Sequence, residues 1–459
     1  MIDLNNKKII FLGCGAVGKT TLYFLENFFK VNPKNIYLID LLDYKEHPTI
    51  KEYIQKGSKY IISDVNKNYK TIFNKLKEYD IIIDVTARTN SIKLYEYARQ
   101  KNLHYINTSL EDDKSLKQMK NEQEFKLTYQ YAHNKIKDIN LEYDEKNKAS
   151  CVIEFGMNPG LISIFAKLGI LFLADNVRKT KQLKQYIKNR EYNKICKYLE
   201  VDIIHCSETD TTEFLNKKGS SKFCNTWCCS GLIDEYSHHC EFGWGSHEKT
   251  KPKGSELLNN NIIDLNEPAY NVYCESYVPT DEKFIGCVIP HGEGLSLTEF
   301  LRDSEYSPTV HYVYKFSPIT QKSIKKLPKK YLGGTIPQNK THVLNNLDDK
   351  IIGLDTVGAL IISKYGSVWS GSILDNSETP YYQGTTQQVA IGILSALSFL
   401  VENKNLGGLY PENIDEKYIF NKIKNNMGII YVDWVNYKPK STQFNDLRKT
   451  KEQFDSQFN

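Results

Sequence analysis

GCGAVGKT, residues 13–20, follows the apolar run KKIIFL and reads as two different nucleotide-binding turns. As G-x-G-x-x-G, with Gly13, Gly15 and Gly18, it is a dinucleotide turn; as G-x-x-x-x-G-K-T it is a triphosphate-binding P-loop. The next thirty residues of the chain decide between them. KTTLYFLENFF carries Leu22, Phe24, Leu25 and Phe28 at helical spacing, and NIYLID is a second short apolar strand that ends in Asp40. Asp40 stands about 20 residues past the turn, where a dinucleotide fold places the acid that accepts hydrogen bonds from the adenine ribose. The P-loop reading needs a strand-terminal acid to hold magnesium, and Asp84 in YDIIIDVTA is its candidate. It leaves Gly15 unexplained, whereas in a dinucleotide turn that glycine lets the backbone approach the pyrophosphate. The dinucleotide reading is preferred, with Lys19 and Thr20 an accidental match. A 2′-phosphate would meet the charge of Asp40, and Leu41 and Leu42 offer no arginine for it, so NAD is expected rather than NADP.

The strand-like segments YIISDV, DIIIDVT and HYINTS alternate with helical stretches, the pattern of βαβ units. Ligands of such sheets bind beyond the carboxyl ends of the strands, so the cofactor rim is expected to include Gly13, Gly15, Ala16, Val17 and Gly18, then Asp40, Thr86, Ala87 and Thr108. The apolar run from Val389 to Val401 is shorter than the roughly 20 residues of a membrane span and reads as a buried helix returning to this domain. No membrane span is expected. The fold class is α/β: a Rossmann NAD-binding domain over residues 1–160, completed by 383–459, and a second α/β domain over 161–382 with a mostly antiparallel sheet.

Length and composition describe a globular protein with a sizeable core: 459 residues, of which 40% are hydrophobic and 12% aromatic. The 60 basic and 55 acidic residues are spread along the chain, leaving no basic arm for nucleic acid. No secretory leader precedes the first strand, so a cytoplasmic protein is expected. Cys224, Cys228, Cys229 and Cys240 lie near His238, His239 and His247 in sequence, but without the paired spacing of a zinc site. No metal is expected.

From Cys151 onward come FGMNPGLISIFAK, HCSETDTT, NTWCCSGLIDE, FGWGSHEK, IPHGEGLSLTEFL and PTVHYVY, islands of polar and aromatic chemistry among charged helices. At these islands, most specifically NTW followed by GWGSHEK, the sequence resembles bacterial homospermidine synthase, a relative of saccharopine dehydrogenase. The resemblance implies an NAD-dependent enzyme that joins two putrescine molecules, or putrescine and spermidine, releases ammonia and consumes no NAD, and it implies a homodimer. It assigns catalytic positions to Asn158 near the nicotinamide, Glu208, Trp227, Glu235 and His291, and substrate contacts to Glu111, Asp234, Glu293 and Asp355. Asp355 reads equally well as a helix N-cap. Arg88 departs from the family, which carries an acid there.

The residue types suit a diamine on their own terms. Two ammonium groups about four carbons apart call for carboxylates at the ends and an aromatic middle without competing arginine. The chain has no arginine between Arg190 and Arg302, a span that holds Glu208, Asp210, Asp234, Glu235 and Glu293 beside Trp227 and Trp244. A saccharopine or carboxynorspermidine type of dehydrogenase, the rival reading, would want arginine forks there for its carboxylated substrate. A third reading is an inactive NAD-binding homologue, which Arg88 makes conceivable.

Overall fold

The computed structural model describes residues 1–458 apart from 116–117, 119–127, 144–147, 217–219 and 380–381. The chain divides into two compact units. The first comprises Met1–Glu122, Tyr131–Leu161 and Thr385–Asn426; the second comprises Ile162–Gly384 and Met427–Asn459, with a short stretch ending at Gln130.

The first unit is built on a seven-stranded sheet. Its centre is β1 (Ile9–Leu12), flanked on one side by β2 (Ile36–Asp40) and then Lys59–Ile62. On the other side lie β3 (Ile81–Asp84), β4 (His104–Asn107), Cys151–Val152 and Gly408–Leu409. Every pairing is parallel. The strands IIFL and IIID are buried at every position, as strands covered on both faces must be. Strand order reverses at β1, and the glycine turn leaves the carboxyl end of that strand, the switch point where open α/β sheets take their ligands.

The glycines divide the work as a dinucleotide turn requires. Gly13 has φ +89°, and a Cβ there would lie 2.6 Å from the Val85 carbonyl oxygen; at Gly18 it would lie 2.2 Å from that of Gly13. Gly15 differs, since a Cβ there meets nothing within 4 Å. It is the N-cap of α1 (Ala16–Phe28), which has no side-chain cap, leaving first-turn amides for an anion. Asp40 closes the turn, accepting from the Cys14 amide at 2.6 Å and the Leu42 amide at 2.9 Å. The P-loop parts are committed elsewhere. The Thr20 hydroxyl donates to the Ala16 carbonyl at 2.8 Å, and Lys19 Nζ sits 3.7 Å from the Tyr44 ring centre. Asp84 is buried and accepts from the Tyr105 hydroxyl at 2.7 Å and the Thr86 hydroxyl at 2.6 Å.

The second unit holds an eleven-stranded sheet. At its core β5 (Val201–Asp210) lies between β6 (Thr309–Lys315), its parallel neighbour, and the antiparallel β7 (Leu354–Ser363). β7 continues to β8 (Gly366–Asp375) and β9 (Ile429–Val435), and every pairing in this sheet other than β5 with β6 is antiparallel. The tail therefore divides differently from the expected 383–459. β9 pairs with the edge of β8 that faces away from β7, so residues from Met427 onward join the second unit. Phe444 and Phe454 of the tail pack against Phe242 and Tyr273.

The apolar run forms the helix Gly384–Glu402, which among the described residues is long and apolar enough to cross a membrane by length and composition. Of its apolar window, 94% is buried inside the fold. Gly392 lets it press on the backbone of Gly156, since a Cβ at 392 would lie 2.2 Å from the Gly156 oxygen.

Gly15→Ala is expected to leave the melting temperature unchanged while weakening dinucleotide binding, because its Cβ fills only the space a pyrophosphate would take. Gly18→Ala is expected to destabilise by about 1–3 kcal/mol through overpacking. Equal melting temperatures for the two variants would contradict this division.

Candidate active site

Alternation along β5 sends Cys206, Glu208 and Asp210 to one face of the sheet. On β6, Tyr312 stands opposite Cys206 and Tyr314 opposite Glu208; on β7, Val357 stands opposite Glu208 and Asp355 opposite Asp210. Three carboxylates and two phenols thus share one buried face. Their contacts include hydroxyl and amide donors, which solvate a carboxylate without cancelling its charge. The Tyr312 hydroxyl donates to Glu208 Oε2 at 2.7 Å. Asp210 accepts from the Thr226 hydroxyl at 2.7 Å and the Thr212 amide at 2.8 Å. Burial raises the Asp210 pKa against the pull of these donors. Burial, then Asp210, Glu208 and Asp355, hold the Tyr314 phenol protonated far above its ordinary range.

A charged trio adjoins this face. His291 is the N-cap of α3 (Gly292–Leu301), and Glu235 lies on α2 (Cys229–Ser237). His291 Nε2 is 3.4 Å from Glu235 Oε2, and its Nδ1 is 3.3 Å from Glu293. The imidazole also packs on Tyr312, with ring centres 4.6 Å apart. Burial works against the charged ring, but Glu293 and Glu235 outweigh it and raise the His291 pKa well above the ordinary value. The two carboxylates thus favour the charged form of the ring. Helix geometry separates Glu235 from its neighbour Asp234. Glu235 reaches His291, while Asp234, one position and about 100° earlier around the helix, is half-buried on a different side of it.

Trp227 lies in the turn between the strand Phe223–Asn225 and α2, half-buried. Gly231 makes room for it, since a Cβ there would come 3.0 Å from the indole. Trp244 is a core aromatic, 6% exposed and packed on Phe242 and Phe444. The GWGSHEK signature is a latch for the tail: Glu248 accepts from the Phe444 amide at 3.0 Å and the Thr309 hydroxyl at 2.8 Å, and His247 Nε2 lies 2.9 Å from the Thr442 carbonyl. Asp355 is a strand residue, which removes the helix N-cap reading.

The remaining candidates lie in the first unit. Glu111 accepts from the Arg88 amide and the Ser109 hydroxyl, both at 3.1 Å. Thr86 donates its hydroxyl to Asp84, Ala87 is exposed, Thr108 follows β4, and Asn158 is half-buried in the turn before the helix Leu161–Asn176. Sequence reasoning misses Tyr312, Tyr314 and Thr226, although the two tyrosines of VHYVYK, spaced by two, are the signal of a shared strand face.

Known proteins resemble the whole chain. Residues 156–429 match the saccharopine dehydrogenase C-terminal domain, and residues 9–137 match the saccharopine dehydrogenase NADP binding domain. Homospermidine synthase of Mesorhizobium japonicum is 26% identical over 452 residues, covering 93% of this chain and 90% of that protein. The enzyme of Blastochloris viridis is also 26% identical, over 93% of this chain and 91% of its own length. The structure of homospermidine synthase from Legionella pneumophila in complex with NAD superposes with a TM-score of 0.83 at 27% identity, covering 98% of this chain and 99% of that one. Saccharopine dehydrogenase of Saccharomyces cerevisiae, at 11% identity and a TM-score of 0.51 over 94% of this chain and 100% of that one, shares the fold.

Two outcomes are expected of this site. Asp355→Asn removes a like charge from directly opposite Asp210 and should raise stability by up to about 1 kcal/mol, roughly 2–4 °C in melting temperature for a unit of this size. A lower melting temperature contradicts the repulsion. By NMR the His291 ring is expected to titrate above the ordinary histidine value. Its folded pKa exceeds the unfolded one, so its contribution to stability is complete below about pH 6.5 and is lost only as pH rises through the raised folded value. A titration midpoint near 6.5 in the intact protein would refute the trio.

Proposed function

The chain belongs to the saccharopine dehydrogenase family, and on that premise we propose that it is an NAD-dependent homospermidine synthase acting on putrescine, with spermidine as a second donor. The observation that carries this is the buried sheet face on which Glu208, Asp210 and Asp355 stand together, with Thr226, the neighbour of Trp227, bonded to Asp210 and the Glu235–His291–Glu293 trio adjoining; all of these acids but Asp355 fall in the arginine-free span between Arg190 and Arg302. Such a face suits ammonium groups and disfavours the carboxylates of saccharopine-type substrates.

The glycine turn and Asp40 fit NAD: Gly15 leaves the space, α1 offers its uncapped amides, and Asp40 offers a carboxylate for the ribose. NAD held there would supply reversible hydride exchange, first as acceptor and then as donor. Between those events the putrescine imine exchanges ammonia for the amine of a second diamine, and reduction of the resulting Schiff base yields homospermidine. Two putrescines give one homospermidine and one ammonia, with no net change in NAD.

In this reading Glu208 and Asp355 hold an ammonium end of the substrate. Trp227 turns its ring face to the cationic carbon–nitrogen centre. His291 holds Glu235 and Glu293 aligned on either side of its ring, so that Glu235 contacts the second amine on its approach. Asn158, Thr86, Ala87 and Thr108 serve the cofactor, and Glu111 and Asp234 stand as further acids for the diamine. A homodimer in the cytoplasm belongs to the same proposal, on resemblance.

Incubation of the purified protein with putrescine and catalytic NAD tests it: homospermidine and ammonia in equal amounts, without accumulating NADH, are expected. Net NADH formation, or turnover confined to carboxylated amines with net NAD(P)H consumption, would replace this reading by the dehydrogenase one. Within the reading, activity should fall in the order Trp227, Trp227→Phe, Trp227→Leu at unchanged melting temperature, with a leucine loss of roughly 2- to 30-fold. Parallel loss of stability and activity in both variants would make Trp227 a core residue.

A further inference from the structure

The sheet that carries Glu208 and Tyr312 on one face carries a different cluster on the other. His205 of β5 stands opposite His311 of β6, their ring centres 4.2 Å apart, and Cys274 of the strand Tyr273–Val278 joins them. One ligand atom from each of the three lies within 4.8 Å of the other two. All are enclosed: His205 and Cys274 are 0% exposed and His311 is 2% exposed, with the rings of Phe242 and Phe444 packed on His311. His205 Nε2 and His311 Nδ1 have no hydrogen-bond partner. Two orphaned imidazole nitrogens facing an apolar interior are a costly arrangement for a core that needs only bulk.

We propose that His205, Cys274 and His311 bind a zinc-class divalent cation. Two imidazoles and a thiolate are the nitrogen and sulfur donors that zinc prefers. Zinc at about 2.0 Å from nitrogen and 2.3 Å from sulfur spaces its ligands by roughly 3.3–3.8 Å, so side-chain shifts of about 1 Å close the cluster around the ion. The second contact of a ligating histidine is present as well: His205 Nδ1 lies 3.0 Å from the Ser276 hydroxyl, which orients the ring and leaves Nε2 for the metal. Burial keeps both rings neutral, the form that ligates. As the metal–sulfur bond forms, the Cys274 thiol releases its proton to solvent, leaving a thiolate on the ion.

The ion is structural. It ties together β5, β6 and the strand of Cys274 directly behind Glu208 and Tyr312, fixing the two strands whose other face is the proposed diamine site. Its ligands come from three distant parts of the chain, so the cysteine and histidine spacings behind the expectation of no metal carry no trace of it.

The test uses the full-length protein stripped with a chelator and titrated with Co²⁺, alongside the zinc content of the protein as isolated. One zinc per chain, and a thiolate-to-cobalt charge-transfer band that saturates at one equivalent and disappears when Zn²⁺ is added, are expected. The band should vanish in Cys274→Ser and persist in Cys287→Ser. Absence of any thiolate band from the intact protein, or its persistence in Cys274→Ser, overturns the proposal. Since the intact protein alone decides the first outcome, misfolding of a variant does not blunt the test.

Discussion

Asp210 and Asp355 face each other across neighbouring strands in a buried sheet, and the rest of the proposed chemistry depends on that opposition. Like charges directly opposite in an antiparallel pair destabilise the sheet that holds them. The fold tolerates them because β5 is locked between β6 and β7, and because Thr226, Thr212 and Tyr312 offer hydrogen bonds to the face. In the proposed function, a ligand that brings ammonium groups relieves this opposition, and a carboxylated ligand adds to it.

The proposed function gives the two units opposite electrostatic tasks. In the first, the uncapped start of α1 and the open position at Gly15 present amide donors to an anion. In the second, carboxylates stand on strands rather than loops, where the ladder fixes their spacing more firmly than a loop can. His291 does not break this pattern. Placed between Glu235 and Glu293, which raise its pKa, it sets the position of Glu235.

The first unit is legible in the sequence because its signals are local. Gly13, Gly15, Gly18 and Asp40 act within one strand–turn–helix–strand unit, and each glycine has a steric or ligand role that spacing alone conveys. The acids Glu208, Glu235 and Glu293 are legible as residue types in an arginine-free span, but their grouping is a matter of register between strands far apart in sequence. Nothing local tells that Asp355 faces Asp210, so a strand acid looks like a helix cap. For the same reason the cluster of His205, Cys274 and His311 is invisible in the sequence, and the tail from Met427 reads as part of the unit whose helix precedes it rather than of the strand edge it completes.

The proposed function makes the sheet face around Glu208, Asp210 and Asp355 a site for a dication. Calorimetric binding of 1,4-diaminobutane and of butylamine to the NAD-loaded protein at one ionic strength tests this most directly. The two ligands share their length and apolar middle and differ in one ammonium group. Leaving a buried charge without its partner costs about 2–5 kcal/mol, so the diamine should bind roughly 30-fold tighter or more. Equal affinity for the two amines would contradict the account.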